Sequence, residues 1–234
     1  MGAPSMSRID NKLRLGAALF NGDHGRLAEE VARLEAAGLD FIHLDVFDGH
    51  FVPDLGFSPH TIAALRPLTG LPFEVHLGVT NVRHVAPQLV DAGADLIIFH
   101  VESSTMLYED LFFVRELGVR VGVVLTLGTA LARLEPVLTM LDAVLLLSRV
   151  TGEGSHGAVF NPLVLPRLRA VRTLAHAAGV SPDVQVAGSV KREHIPALVA
   201  AGATAIAFGG GLYRVPDMAA EVTAMRKLIQ EQPS

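Results

Sequence analysis

The sequence predicts a single (β/α)8 barrel on three observations: a phrase that recurs along the chain, strands without polar alternation, and eight strand–helix units in one uninterrupted stretch. The phrase is a helix, an Ala-Gly stop and a short apolar run. Glu35-Ala36-Ala37-Gly38-Leu39-Asp40 leads into Phe41-Ile42-His43-Leu44-Asp45, and Asp91-Ala92-Gly93-Ala94-Asp95 leads into Leu96-Ile97-Ile98-Phe99-His100. Ala200-Ala201-Gly202-Ala203-Thr204 does the same for Ala205-Ile206-Ala207-Phe208-Gly209-Gly210. Glycine suits the stop because it takes the left-handed C′ backbone without strain. Runs that are apolar on both faces belong to parallel strands covered from both sides.

In chain order, strands are expected over 13–19, 41–46, 73–77, 96–100, 120–125, 143–147, 184–187 and 205–208. Helices fall between them, for example over 24–37, where Leu27, Val31 and Leu34 share a face, and over 82–92, 106–117, 162–178 and 218–230. Eight such units in roughly 220 residues is the arithmetic of this barrel. A doubly wound dinucleotide-binding sheet is the competing architecture, but no G-x-G-x-x-G follows an early strand. No linker or low-complexity stretch divides the chain. The domain is expected to span 12–234, and residues 1–11 read as a disordered lead-in that lacks the apolar segment of a signal peptide.

Composition removes several classes of function. Of the 234 residues 50% are hydrophobic, enough for a large core, yet the longest apolar stretches, 96–99 and 143–147, are strand-sized and far too short to cross a membrane. The net charge is −5 and the basic residues are scattered, so neither nucleic acid nor membrane is an expected partner. The absence of cysteine excludes disulfides, cysteine-ligated zinc and a thiol nucleophile, and a cytoplasmic location is expected. With Lys12, Lys191 and Lys227 as the only lysines, Schiff-base chemistry would have to use Lys191.

In such barrels chemistry gathers at the C-terminal ends of the strands. Residues two apart in a strand share a side, so His43 and Asp45 on the second strand and Glu74 and His76 on the third can all face the interior. Two imidazoles with one or two carboxylates suit Zn²⁺, Fe²⁺, Mn²⁺ or Co²⁺, although each His-x-acid pair is equally compatible with a simple hydrogen bond. Glycine-rich turns follow the last three strands: Gly152-Glu153-Gly154-Ser155-His156-Gly157, Gly188-Ser189 and Gly209-Gly210-Gly211. Their exposed amides make Gly154, His156, Gly157, Gly188, Ser189, Gly209 and Gly210 candidates for phosphate or substrate binding; the alternative is that they only permit tight turns. Arg214, just past the eighth strand, is a further candidate for a phosphate contact.

These residues resemble a known family. Asp23-His24-Gly25-Arg26-Leu27-Ala28-Glu29-Glu30-Val31, Ala36-Ala37-Gly38, and Ile42-His43-Leu44-Asp45-Val46-Phe47-Asp48-Gly49-His50-Phe51-Val52-Pro53 resemble the opening third of the ribulose-phosphate 3-epimerases. Val75-His76-Leu77 and His100-Val101-Glu102 resemble later motifs, and the similarity runs from about Leu13 to Tyr213. The resemblance implies a ribulose-phosphate-binding barrel, a divalent metal on two histidines and two aspartates, a sugar phosphate as small-molecule partner, an enediolate intermediate and self-association into a homo-oligomer. His43, Asp45 and His76 match three of the ligands, and Asp45 also matches one of the two acid–base aspartates.

The match fails at the fourth ligand. Where the family carries Val-Asp-Gly-Gly, this chain has Val186-Ala187-Gly188-Ser189. Other departures sit at the same mouth: Ala18 for a serine, Phe47, Gly78 and Leu147 for methionines, and the rewritten loop Arg149-Val150-Thr151-Gly152-Glu153-Gly154-Ser155-His156-Gly157. The expected function is a metal-dependent epimerase or isomerase of a phosphorylated ketose with Asp45 as its base and Glu74, Glu102, Glu153 or His156 as conceivable acids. A related sugar-phosphate lyase, or a barrel that binds a phosphorylated ligand without turnover, is the alternative. His60, His84, His176 and His194 read as surface residues and Asp48 as a structural carboxylate of the loop after the second strand.

Overall fold

The three Ala-Gly stops take the backbone their chemistry favours. Gly38, Gly93 and Gly202 have φ of +79, +94 and +89, and in each case the residue that follows returns its amide to the last helical turn. The structure, a computed structural model, describes residues 13–150 and 159–232. The expected lead-in 1–11 and the loop residues Gly154, His156 and Gly157 lie outside the described residues.

Eight parallel strands close into a barrel in sequence order. They are β1 (Arg14–Ala18), β2 (Phe41–Phe47), β3 (Phe73–Gly78), β4 (Leu96–His100), β5 (Arg120–Leu125), β6 (Ala143–Leu147), β7 (Asp183–Ala187) and β8 (Ala205–Phe208), and β8 pairs back onto β1. The helices are α1 (Leu27–Ala36), α2 (Pro59–Leu65), α3 (Val82–Asp91), α4 (Leu107–Glu116), α5 (Val164–Ala177), α6 (Ile195–Ala200), the single turn α7 (Gly210–Tyr213) and α8 (Met218–Gln230). Between β5 and β6 the chain forms only two 3-10 turns, Leu131–Leu134 and Leu138–Met140; Pro136 between them lacks the amide an α-helix would need there. The helix expected from residue 24 opens instead as a 3-10 turn, His24–Arg26, with the Asp23 carboxylate accepting from the Gly25 amide.

The alternation of each strand sorts its side chains into two cores. Outward residues such as Leu15, Ile42, Leu44, Val75, Ile97, Val123 and Ile206 pack against the helices. Inward residues fill the barrel: Phe41, Leu96, Ile98, Val124, Ala143, Leu145, Leu147, Ala187, Ala205 and Ala207. At the floor the buried Asp183 carboxylate accepts from Arg14 at 2.5 Å and Arg120 at 3.0 Å, closing the end opposite the mouth. Above Phe41 the inward side of β2 and β3 carries polar residues, and the parallel register sets His43 beside Glu74 and Asp45 beside His76.

Candidate metal centre and phosphate pocket

His43, Asp45 and His76 are buried at the upper end of β2 and β3, and one nitrogen or oxygen from each lies within 4.8 Å of the others. Two of the three contacts are short. His43 Nε2 is 3.5 Å from Asp45 Oδ1, and His76 Nδ1 is 2.9 Å from the same oxygen. The far side of each imidazole is held by another buried group. His43 Nδ1 donates to Glu74 Oε1 at 2.9 Å, and Glu74 Oε2 accepts from Gln185 Nε2 at 2.8 Å. His76 Nε2 is 3.0 Å from His100 Nε2, and His100 Nδ1 is 3.2 Å from Glu102 Oε2.

Counting hydrogens along that second chain shows what the corner lacks. The contacts Asp45–His76, His76–His100 and His100–Glu102 need one hydrogen each, whereas two neutral imidazoles carry two. Burial, reinforced by the neighbouring imidazoles, lowers His76 to about 4 despite its hydrogen bond to Asp45, so a third proton is not easily taken up there. If His100 donates to Glu102 and His76 donates to His100, the lone pair of His76 Nδ1 faces the Asp45 carboxylate with nothing between them. A cation resolves that conflict. The same demand shows at His43: burial disfavours its charge, but the Asp45 carboxylate and hydrogen bonds to Asp45 and Glu74 push it up to about 10. Asp45 is itself held well below the carboxylate range, its burial outweighed by His43 and His76. Two imidazole nitrogens and a carboxylate that together call for positive charge fit a divalent metal.

The walls above this corner are aromatic. Phe47 stands edge-on to the His76 ring at 5.5 Å, and Phe51 lies 4.8 Å from the His100 ring. Gly78 makes room for Phe47, whose ring atom Cδ1 lies 2.7 Å from where a Cβ on residue 78 would be. The β2–α2 loop folds back over β2, with the Gly56 and Phe57 amides donating to the carbonyls of Phe47 and Asp45. Only glycine fits at 56, since a Cβ would meet the Phe47 amide nitrogen at 2.4 Å. Asp48 anchors the loop by accepting from the amides of His50, Phe51 and Thr80 and from the Thr80 hydroxyl, which outweighs the cost of burial and holds it well below the carboxylate range.

Across the mouth the inward positions at the same height are Leu147, Ala187 and Ala207. A cavity of about 240 Å³ opens here, bounded on one side by His43, Asp45 and His76 and on the other by Ala187, Gly188, Ser189, Gly209 and Gly210. Buried Ser148 ties the end of β6 to β7, its hydroxyl donating to the carbonyls of Ala187 and Gly188. The chain then turns sharply, with φ of +103 at Gly188 and +54 at Ser189, a left-handed value that a serine adopts only under constraint. Arg149, Lys191 and Arg214 complete the cationic part of the wall, and Asp54 from the β2–α2 loop adds a carboxylate.

A profile of the Ribulose-phosphate 3 epimerase family matches residues 14–213. The chain is a member of that family. It is 36% identical to the ribulose-phosphate 3-epimerase of Synechocystis sp. over 227 residues, covering 96% of this chain and 98% of that protein. It is 35% identical to the ribulose-phosphate 3-epimerase of Escherichia coli K12 over 213 residues, covering 91% and 94%. Among solved structures, KGPDC from Streptococcus mutans shares the fold with a TM-score of 0.72 at 12% identity, covering 95% of this chain and all of that one. Membership makes the chain an isomerase of the carbohydrate epimerase type with the family's dependence on a divalent metal, and His43, Asp45 and His76 form a group that could hold such an ion.

The departure expected at the fourth ligand lies across the mouth from the metal corner. The β2–β3 corner brings together the three residues expected as ligands, while Ala187 presents a methyl group between Leu147 and Ala207 in the sheet register. Glu74 does not reach across to Ala187, because both its oxygens are taken by His43 and Gln185. Glu102 is likewise engaged, by His100, Thr126 and Thr129. Gly188, Ser189, Gly209, Gly210 and Arg214, the described candidates for a phosphate contact, line the cavity. His60, His84 and His176 are exposed, and His194 stacks on Phe160 away from the metal corner. Sequence reasoning placed Arg149 at the mouth only as the start of a rewritten loop and missed Asp54; each lies in a loop, where periodicity does not single out a lining side chain.

Proposed function

We propose that the chain is a divalent-metal-dependent epimerase or isomerase of a phosphorylated ketose, with D-ribulose 5-phosphate the first substrate to test and Asp45 the group that moves the proton. The observation that carries this reading is the convergence of His43, Asp45 and His76 on one side of a cavity whose opposite side is glycine turns and cations. A metal held by those three residues would draw negative charge from substrate oxygens as the proton leaves carbon. The chain's own part is to hold the reacting groups. Glu74 fixes the ring of His43, and the His100–Glu102 pair fixes that of His76. Asp45, kept ionised, accepts the proton from the carbon beside the carbonyl and returns it. Phe47, Phe51 and Val52 exclude water on that side. The amides of Gly188, Ser189, Gly209 and Gly210 receive the phosphate.

Ala187 gives the opposite face of the substrate no carboxylate from β7, so the stereochemical outcome decides between one-face isomerisation and inversion. The test is exchange of the C3 proton of D-ribulose 5-phosphate in deuterated water with the metal-loaded protein. Exchange with inversion establishes epimerisation, and exchange without inversion establishes one-base chemistry. A metal-loaded protein that exchanges no proton overturns the reading. A cytoplasmic homo-oligomer is the remaining part of the proposal and rests on the family alone; a single monomeric boundary in sedimentation velocity would overturn the oligomer.

A further inference from the structure

Two arginines flank the turns at the ends of β7 and β8, and the mechanism above uses neither. Arg149, half-buried, leaves β6 directly after the Ser148 staple and lies across Gly188, its Cγ 2.8 Å from where a Cβ on residue 188 would be. Arg214 follows α7 and reaches back over Gly210, its Nη1 3.2 Å from the corresponding point there. β7 and β8 are neighbours, with Ala187 opposite Ala207, so the two arginines approach one pair of adjacent turns from its two flanks. Both line the cavity. Among the described residues neither has an acidic partner, whereas Arg14, Arg66, Arg83, Arg192 and Arg226 each pair with a carboxylate within 3.2 Å.

The described acids on the same wall do not neutralise them. Asp45 is committed to His43 and His76, and among the described residues Asp54 forms no ion pair. Gly188 lets the Arg149 stem lie against the backbone, and the Arg214 guanidinium comes up to Gly210, so both cations stand beside turns that line the same cavity. A planar guanidinium offers two parallel N–H donors that match two oxygens of a phosphate. Backbone amides alone bind an anion by dipoles; two flanking guanidinium groups add formal charge that favours the dianion.

We propose that Arg149 and Arg214 form a clamp that grips the phosphate end of the substrate between the Gly188–Ser189 and Gly209–Gly210 turns, and so select a phosphate ester over the free sugar. This rests on the reading of the substrate as a phosphorylated ketose. Titration calorimetry on the full chain with inorganic phosphate, D-ribulose 5-phosphate and D-ribulose tests it, using Arg149→Met, Arg214→Met and the corresponding lysine variants. Each methionine variant is expected to weaken inorganic phosphate and D-ribulose 5-phosphate by about tenfold or more. Lysine recovers part of the loss, D-ribulose binding does not change, and the kinetic deficit falls on KM more than on kcat. Phosphate affinity that is undetectable in the parent chain, or unchanged in both methionine variants, overturns the clamp. A loss confined to kcat also overturns it, placing the arginine at the reacting carbon. Arginine-dependent phosphate binding without C3 proton exchange would leave the clamp standing and remove the catalytic reading. Exchange with an unchanged KM in the variants would do the reverse.

Discussion

On the β2–β4 side of the mouth the acids and imidazoles at metal height are committed to one another: Glu74 to His43 and Gln185, His76 to Asp45 and His100, Glu102 to His100 and two threonines. On the β6–β8 side the inward residues at the same height are Leu147, Ala187 and Ala207, with two arginines that form no ion pair among the described residues. The first side is a preformed network in which each group fixes the next, as a metal corner requires. The second is a receiving surface, where small residues leave volume and cations leave charge for a ligand to satisfy. Ala187 belongs to the second pattern. Its methyl group extends the open side up to the edge of the metal corner, so this chain divides holding and receiving more sharply than a site with acids on both sides would.

Breaking the committed side has the largest expected effect. Asp45→Asn removes the charge that pairs with both imidazoles and the group that moves the proton, and proton exchange on D-ribulose 5-phosphate is expected to fall by about 10²–10⁴. An exchange rate within threefold of the parent would remove Asp45 from the mechanism. Stripping metal with a chelator should abolish the same exchange and lower the melting temperature, and re-adding Zn²⁺, Fe²⁺, Mn²⁺ or Co²⁺ one at a time would show which ion restores it.

Glu74→Gln is next in size. The glutamine has one acceptor oxygen where the glutamate serves both His43 Nδ1 and Gln185 Nε2, and it carries no charge, so the ring is held less firmly and metal affinity should drop by about 10–100-fold with the fold retained. Ala187→Asp sharpens the comparison from the other side. The position lines the cavity, so a carboxylate has room there, and it would give the open side the acid it lacks. Metal binding should tighten by on the order of tenfold, and inversion at C3 should increase relative to simple exchange. No change in either quantity would show that Ala187 lies out of reach of the bound ion.

The two sides were also unequally legible. The Ala-Gly stops gave the helix ends because one residue type suits a left-handed C′ position, and the strands appeared because two-sided burial leaves an unbroken apolar run. His43-x-Asp45 and Glu74-x-His76 could be placed together from the two-residue strand period and the order of the strands. That period could not distinguish ligands from partners: Glu74 turned out to be a clasp on His43, and His100, at the end of the fourth strand, closes the chain to Glu102. The lining roles of Arg149 and Asp54 and the backs of the glycine turns were hidden because loop geometry follows from contacts between distant strands. The short helices α2 and α6 were expected between their strands but could not be given bounds; each is only one to two turns long and offers little periodicity to count.

The smallest expected effect lies at the outer end of the committed side and tests whether the network is continuous. Glu102 Oε1 accepts from the Thr126 amide at 2.9 Å and from the hydroxyls of Thr126 and Thr129, while Oε2 meets His100. Burial raises the carboxyl, but these donors outweigh it and bring it down from 4.5 to about 2. A carboxyl depressed on folding adds stability that is complete above the unfolded value and is lost as pH falls, here between about 4.5 and 2. Glu102→Gln should therefore cost about 1 kcal/mol near neutral pH, a modest figure because 22% of the side chain remains in water and is screened. The gap between parent and variant melting temperatures should shrink as the pH drops through that window. A gap that persists unchanged to pH 2 would mean that shape alone, and not charge, makes Glu102 matter. If the network is continuous, the variant should also weaken metal binding slightly, because His100 loses the acceptor that directs its other nitrogen toward His76.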